Sequence, residues 1–364
     1  MIYRAFFRLV LRRIDAERAH SFAIRALRLL AAIPGALALI DWLLRPRDEG
    51  LRVHALGLDF RSPLGVAAGV DKDATAFEPL LALGYGAVEV GTVTAVGQPG
   101  NARPRATRLP RDRALLNAMG FPNEGAATVA DRLARRRSAQ VVGINVGKSK
   151  VVELDDAVAD YRESVRRLAP YADYVVLNVS SPNTPGLREM QTVDRLSALI
   201  NGVREELRSA GRPLPLLVKL APDLPNREIE EIAGWALRTE LDGIIAVNTT
   251  TDLSVAVASQ TEIAAQTHGG GISGRPLQRR AVEVLRLLHT RTEGRLALIS
   301  VGGVETAEDA WQRILGGATL VQAYTGFVYG GPLWPRRINR GLARLLRDSQ
   351  WGSLAEAVGK GSSA

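Results

Sequence analysis

The chain contains no cysteine. A disulfide, a thiolate metal site and a cysteine nucleophile are therefore all excluded. Histidine is nearly as scarce: His20, His54, His268 and His289 lie far apart, without the close spacing of a ligand set, so no metal centre is expected. The N-terminal region also lacks a long apolar run. Its longest uncharged stretch, Leu29 to Ile40, falls short of the roughly 20 residues a membrane-spanning helix needs, and Pro34-Gly35 interrupts it. Nor does it read as a cleavable signal, because arginines stud the segment and no clean apolar core leads to a small-residue cleavage site.

What is present suits a large globular chain. With 364 residues, 46% hydrophobic and 23% charged, it can bury a sizeable core without staples. The net charge of +9 permits an acidic partner, whether nucleic acid, anionic lipid or a small anion. Most of that excess is N-terminal: residues 1–47 hold nine arginines against Asp15, Glu17 and Asp41, or +6. Phe6, Phe7, Val10, Ile14, Phe22, Leu29 and Leu30 interleave with those arginines and predict an amphipathic helix over residues 3–32. Pro34-Gly35 then breaks it before a second short helix ending near Leu44.

From Arg61 onward a regular beat sets in. Apolar runs at 63–68, 87–93, 141–146, 174–179, 216–220, 243–247, 297–301 and 320–323 predict strands. Helical stretches follow them at 74–83, 126–136, 155–168, 193–207, 227–238, 277–288, 307–315 and 336–346. Eight strand-helix units predict an α/β fold, a (β/α)8 TIM barrel, with a doubly wound open sheet as the alternative. Polar residues at nearly every strand end favour closure, since a barrel gathers all those ends on one face. The expected organisation is a helical extension over 1–47, the barrel over 48–350, and a tail over 351–364 that is disordered from Gly359. The long connections 95–121 and 250–273 read as lids or binding loops.

The stretch from Tyr174 to Thr184 is the clearest site candidate, a buried strand emptying into Asn178, Ser180, Ser181, Asn183 and Thr184. Asn117, Asn145 and Asn248 add carboxamides at other strand ends or in the long loop. Such a ring offers donors and acceptors to a planar ligand such as a uracil-like ring or a flavin. Gly302-Gly303, Gly316-Gly317 and Ser273-Gly274, the last expected to open the helix after strand six, converge where barrels bind phosphate. Lys219 sits within the apolar strand Leu216-Leu-Val-Lys-Leu220 and must meet an anion or lose its proton. A Schiff base and the neutralisation of a cofactor ring are both open to it.

The runs Ala67-Ala-Gly-Val-Asp-Lys-Asp73, Gly91-Thr-Val-Thr94, Asn117-Ala-Met-Gly-Phe121, Ile144-Asn-Val-Gly-Lys148, Asn178-Val-Ser-Ser-Pro-Asn-Thr184, Lys219-Leu-Ala-Pro-Asp223, Val247-Asn-Thr-Thr250, Gly270-Gly-Ile-Ser-Gly-Arg-Pro-Leu277 and Val301-Gly-Gly303 resemble, in order and spacing, those of the dihydroorotate dehydrogenases. A serine at the base position and a helical extension are similar to the membrane-associated, quinone-dependent class 2. The resemblance implies an FMN enzyme oxidising (S)-dihydroorotate to orotate in de novo pyrimidine (UMP) synthesis. It makes Ser181 the base at C5, with the C6 hydride passing to FMN and Thr184 and Phe121 as proton relay and gate. Lys72, Asn117, Ala118, Met119, Gly120, Phe121, Asn178, Asn183, Asn248 and Thr249 would surround the substrate. FMN would be held by Ala68, Gly69, Val70, Asp71, Lys72, Thr92, Asn145, Asn178, Lys219, Val247, Gly274, Gly303, Tyr324 and Thr325. His20 and Arg108 match the quinone path. The expected partners are a membrane quinone and an anionic membrane surface, with no nucleic acid, for a monomeric peripheral protein on the cytoplasmic face of the inner membrane if bacterial. Two positions depart from the family pattern: Ala118, where arginine is frequent, and Ser149, where asparagine is common.

Overall fold

The computed structural model describes residues 2–361, with only the backbone described for Ile2 and Arg4. Eight parallel strands close into a barrel: β1 (Leu64–Val66), β2 (Ala87–Val93), β3 (Val141–Val146), β4 (Tyr174–Asn178), β5 (Leu216–Leu220), β6 (Gly243–Ala246), β7 (Ala297–Val301) and β8 (Leu320–Ala323). Each strand pairs with its neighbours in sequence, and β8 pairs with β1 to complete the ring. The open-sheet alternative is thereby excluded. Nearly every strand residue is buried, as parallel strands covered by helices on the outside and filled side chains on the inside must be. Val, Ile and Leu supply that surface, and β-branching suits them to the pleat.

The helices that follow are amphipathic and dock by their apolar stripes. The helix Val193–Ser209 buries Leu196, Leu199, Ile200, Val203 and Leu207, a spacing of three and four residues. The helix Ala307–Leu315 starts with a reciprocal capping box between Thr306 and Asp309.

Three features differ from the sequence-based expectation. The N-terminal helix is two helices, α1 (Ile2–Leu9) and α2 (Ala16–Ala31), parted by a 3-10 turn at Leu11–Arg13 and an extended Ile14. Asp15 causes the restart, because its carboxylate accepts the Arg18 N–H at 2.9 Å and caps a new helix. The second short helix, α3 (Ala36–Leu44), follows the Pro34-Gly35 break as expected. Next, the two long connections form one sheet: Ala106–Leu109, Ala114–Asn117 and Gly271–Gly274 pair antiparallel above the rim. Ser273-Gly274 therefore belongs to a strand of this lid rather than opening a helix. Last, the tail is ordered through Gly361. Leu354 and Ala357 are buried in a short helix, and the Gly359 and Gly361 N–H groups donate to the Ile314 and Leu315 carbonyls at 3.0 and 2.9 Å. Residues 362–364 lie outside the described residues.

Candidate active site

The barrel interior is polar at its upper end. Glu89, on β2 and fully buried, accepts from Asn145 Nδ2 at 2.7 Å and from Gln322 Nε2 at 2.7 Å. Asn145 Oδ1 in turn accepts from the Thr92 hydroxyl at 2.6 Å and from Asn178 Nδ2 at 3.1 Å. Asn178 Oδ1 accepts from the Ser180 hydroxyl at 3.0 Å, and Asn248 Nδ2 donates to Ser180 Oγ at 3.0 Å. Side chains from β2, β3, β4, β6 and β8, or the loops just after them, thus form one connected network. Such a connected network in a low-dielectric interior holds its members in one orientation, although the Gln322 Oε1 has no partner among the described residues.

Lys219 enters this interior from β5, opposite Asn178 in the β4–β5 register. It is 4% exposed, yet no hydrogen bond to its ammonium is found among the described residues. Burial pushes its pKa down, and Glu89 alone acts in the opposite sense. A buried cation without a contact partner is a group prepared for an anionic ligand.

The loop after β4 carries Ser181, 5% exposed, whose Oγ accepts the Asn183 N–H at 3.3 Å. Asn183 Nδ2 donates to the Asn117 carbonyl at 3.2 Å, and Asn117 Nδ2 to the Gly271 carbonyl at 3.3 Å, tying this loop to the lid sheet. Thr249 lies against Gly271, where a Cβ would come within 2.1 Å of its hydroxyl. Phe121, at φ +53, covers Gly147 and stands beside Thr92; a Cβ on Gly147 would meet its ring at 2.8 Å. Ala118 and Met119 offer their carbonyls to Asn101 in the same loop. Thr184 is buried, but no hydrogen bond joins it to Ser181 among the described residues.

At the end of β1, Lys72 Nζ donates to the Gly69 carbonyl at 2.7 Å. Burial pushes its pKa down to about 8, with Asp73, Glu17 and Asp71 acting against that fall. Gly69, at φ +101, lies so close to Tyr324 that a Cβ would sit 3.3 Å from its ring. The Asp71 carboxylate is spent on its own turn, accepting from the Thr75 and Ala76 N–H groups, so this residue reaches a ligand only through its backbone. Ala68 and Val70 flank Gly69. On the far side, Ser273 and Thr325 share a hydrogen bond of 2.8 Å, Gly274 packs on Thr325, and Gly303 packs on Gln278 at the start of the helix Gln278–Thr292. Val247, at the end of β6, borders Gly302.

The extension reaches this rim. The His20 ring on α2 lies 6.2 Å from the Tyr324 ring, and Arg108 donates to the Ile14 carbonyl at 2.7 Å. Burial drives the His20 pKa down to about 3 and the Tyr324 pKa up to about 12, so both are neutral near pH 7. Glu17, also on α2, is gripped by two arginines, accepting from Arg103 at 3.0 and 3.1 Å and from Arg105 at 2.7 and 3.1 Å.

Sequence reasoning missed several of these residues. Glu89 carried the same signal as Lys219, one charge inside an apolar strand, and could have been found by it. Gln322 is a weaker instance on β8. Arg188, which donates to the Ser180 and Thr249 carbonyls at 3.2 and 3.0 Å and so braces two rim loops, left no local signal. Ser149, one of the departures, is held by Asp160, which accepts from its hydroxyl at 2.8 Å and its N–H at 2.7 Å.

A closed parallel barrel with its polar side chains gathered at the strands' C-terminal ends defines an α/β-barrel enzyme, with its active site on that rim. The family model described as dihydroorotate dehydrogenase matches residues 50–346. A dihydroorotate dehydrogenase (quinone) of Thermobifida fusca is 55% identical over 364 residues, covering 99% of this chain and 96% of that one. One of Streptomyces coelicolor is 50% identical over 363 residues, 98% of each. Crystal structures of DHODH from Eimeria tenella, in complex with ferulenol and ligand-free, superpose with TM-scores of 0.85 and 0.86 at 35% and 36% identity. Each covers 95% of this chain, and the alignments span 95% and 99% of those structures. The chain belongs to the dihydroorotate dehydrogenase family, in its quinone-dependent class 2. That membership sets aside the lysine-aldolase alternative for Lys219.

Proposed function

We propose that the chain oxidises (S)-dihydroorotate to orotate for pyrimidine synthesis, with FMN as resident cofactor and a membrane quinone as final acceptor. The observation that carries the cofactor is Lys219, a buried ammonium without a hydrogen-bond partner among the described residues, opposite Asn178 and within reach of the Glu89 charge. An isoalloxazine ring fits that donor set: Asn145, Asn178 and Thr92 would hold its polar edge through their carboxamide and hydroxyl groups, and Lys219 would neutralise negative charge there. Gly69, Gly274 and Gly303 let the rim loops pack closely on Tyr324, Thr325 and Gln278, and Ala68, Val70, Asp71, Lys72, Val247, Tyr324 and Thr325 would complete the enclosure. FMN, once bound, supplies the two-electron acceptor for the substrate's C6 hydride and the donor to quinone.

The protein's own part is orientation and proton transfer. Ser181 Oγ takes the C5 proton as it releases its own hydroxyl proton, and the Asn183 N–H on that oxygen stabilises the negative charge that develops there as the hydroxyl proton leaves. Thr184 passes the proton outward through a water, and Phe121 screens the path. Lys72 pairs with the substrate carboxylate, while Asn117, Asn178, Asn183, Asn248 and Thr249 bond the ring's N–H and carbonyl groups. The backbone of Ala118, Met119 and Gly120 closes the lid side.

Quinone reaches the rim between α1 and α2, past His20 and Arg108, and the extension lies peripherally on an anionic bilayer. No single helix among the described residues is long and apolar enough to cross a membrane, and α2 and α3 meet at a bend of 108°. Instead, among the described residues, ten of the fifteen exposed large hydrophobics fall within α1 to α3 and their links, among them Phe22, Leu29 and Trp42.

Anaerobic titration tests this reading. The purified protein should be yellow, bleach on adding dihydroorotate, and recover colour with a quinone. Colourless protein that takes up no added FMN refutes it.

A further inference from the structure

Arg313 belongs to none of the groups described so far. It lies on the helix after β7, is 1% exposed, and is the largest of the fully buried side chains. Its guanidinium donates to Ser300 Oγ at 3.0 Å, to the Gln278 carbonyl at 3.2 Å and to the Gly302 carbonyl at 2.6 Å. All three acceptors are neutral. The nearest carboxylate influence is Asp309, whose oxygens already accept from the Glu305 and Thr306 N–H groups and from Gln278 Nε2. Burial lowers the Arg313 pKa to about 10, which still leaves it charged at neutral pH. A cation this deep, bonded only to carbonyls and a hydroxyl, is under-compensated by the protein itself.

Its position says what the charge is for. The Gly302 carbonyl belongs to a trans peptide, so pinning that oxygen fixes the plane and turns the Gly303 N–H the opposite way. The Gly303 N–H has no partner among the described residues. The second pinned carbonyl is that of Gln278, the first residue of the helix against which Gly303 packs. One side chain therefore sets both halves of the glycine corner from beneath, the loop after β7 and the start of the helix after β6.

We infer that Arg313 is the positioning residue of the corner that takes the phosphate of the flavin nucleotide, aiming the Gly303 N–H and supplying buried positive charge behind it. This rests on the flavin reading above. Arg313 does not touch the ligand; it acts through Gly302, Gln278 and Ser300.

The test compares FMN with riboflavin, which lacks the phosphate, on the full-length protein freed of flavin. Dissociation constants from fluorescence quenching are measured for the parent chain and for Arg313→Met, Arg313→Lys and Ser300→Ala. Arg313→Met should weaken FMN about tenfold or more while leaving riboflavin within about twofold, the scale of one lost charge-assisted interaction. Arg313→Lys, which keeps the charge, should restore most of the preference for FMN. Equal weakening of both flavins, or an unchanged FMN preference, overturns the inference. Should Arg313→Met not fold, Ser300→Ala decides: it should reduce the FMN preference severalfold, and an unreduced preference overturns the inference. A parent chain that binds neither flavin refutes the flavin reading itself, whereas a parent that prefers FMN beside a variant that still does refutes only the role of Arg313.

Discussion

The helical extension and the barrel rim are built on opposite principles. In the barrel, polar groups are inside: Glu89, Asn145, Asn178 and Lys219 are all buried. In the extension, apolar groups are outside: Phe22 is 65% exposed and Leu29 72%. Each arrangement is costly for a free-standing protein, since buried polar groups lose water and exposed apolar groups order it. On the function proposed above, both inversions mark where something other than the protein completes the structure, a polar ligand in the barrel and an apolar phase at the extension. Tyr324 and His20, 6.2 Å apart, stand where the two regions meet.

If the division of labour holds, removing the extension breaks one half-reaction only. A protein lacking residues 1–45 should lose turnover with long-tailed quinones and binding to anionic liposomes, while dihydroorotate still bleaches it anaerobically. Normal quinone turnover by that truncated form would erase the distinction. The reciprocal cut is Ser181→Ala, which should keep the flavin and slow its anaerobic reduction by about 10²–10⁴-fold, as expected for a lost base. Stopped-flow reduction at the parental rate would show that another group takes the proton.

The smallest effect sharpens the boundary itself. Burial holds the His20 pKa far below its ordinary 6.5, at about 3, so the folded state binds fewer protons than the unfolded one between those values. Stability contributed by neutral His20 is therefore full above pH 6.5 and is lost as pH falls through this window toward 3. Thermal melts of the parent should show this acid loss. His20→Gln should flatten the slope between pH 6.5 and 5; an unchanged slope would show that His20 is not buried between α2 and the rim.

Much of the barrel was legible because its signals are local. Runs of Val, Ile and Leu bounded by glycine and proline gave the eight strands almost to the residue, and the amphipathic stripes placed the helices. Ser181, Lys219 and the asparagines stood out as polar residues at or inside apolar runs. The lid sheet was not legible, because its strands are only four residues long and Gly271–Gly274 finds its partner Ala114–Asn117 across about 160 residues of chain. The break at Asp15 was hidden by a continuous apolar stripe, although its cap is a local signal. Arg188 and Arg313 gave no sign at all, since an arginine on a surface-patterned helix or turn reads as solvated.

By itself, then, the order of residues determined the strand-helix rhythm, the absence of thiol chemistry, and which strand ends carry polar groups, because periodicity and composition act over a few residues. Only the tertiary structure decided that Glu89 and Gln322 meet Asn145, that Arg313 sits beneath Gly302, and that α2 grips the rim through Glu17. Those outcomes depend on ring closure and side-chain direction: Glu89 and Gln322, 233 residues apart, meet only once the barrel has brought their strands together.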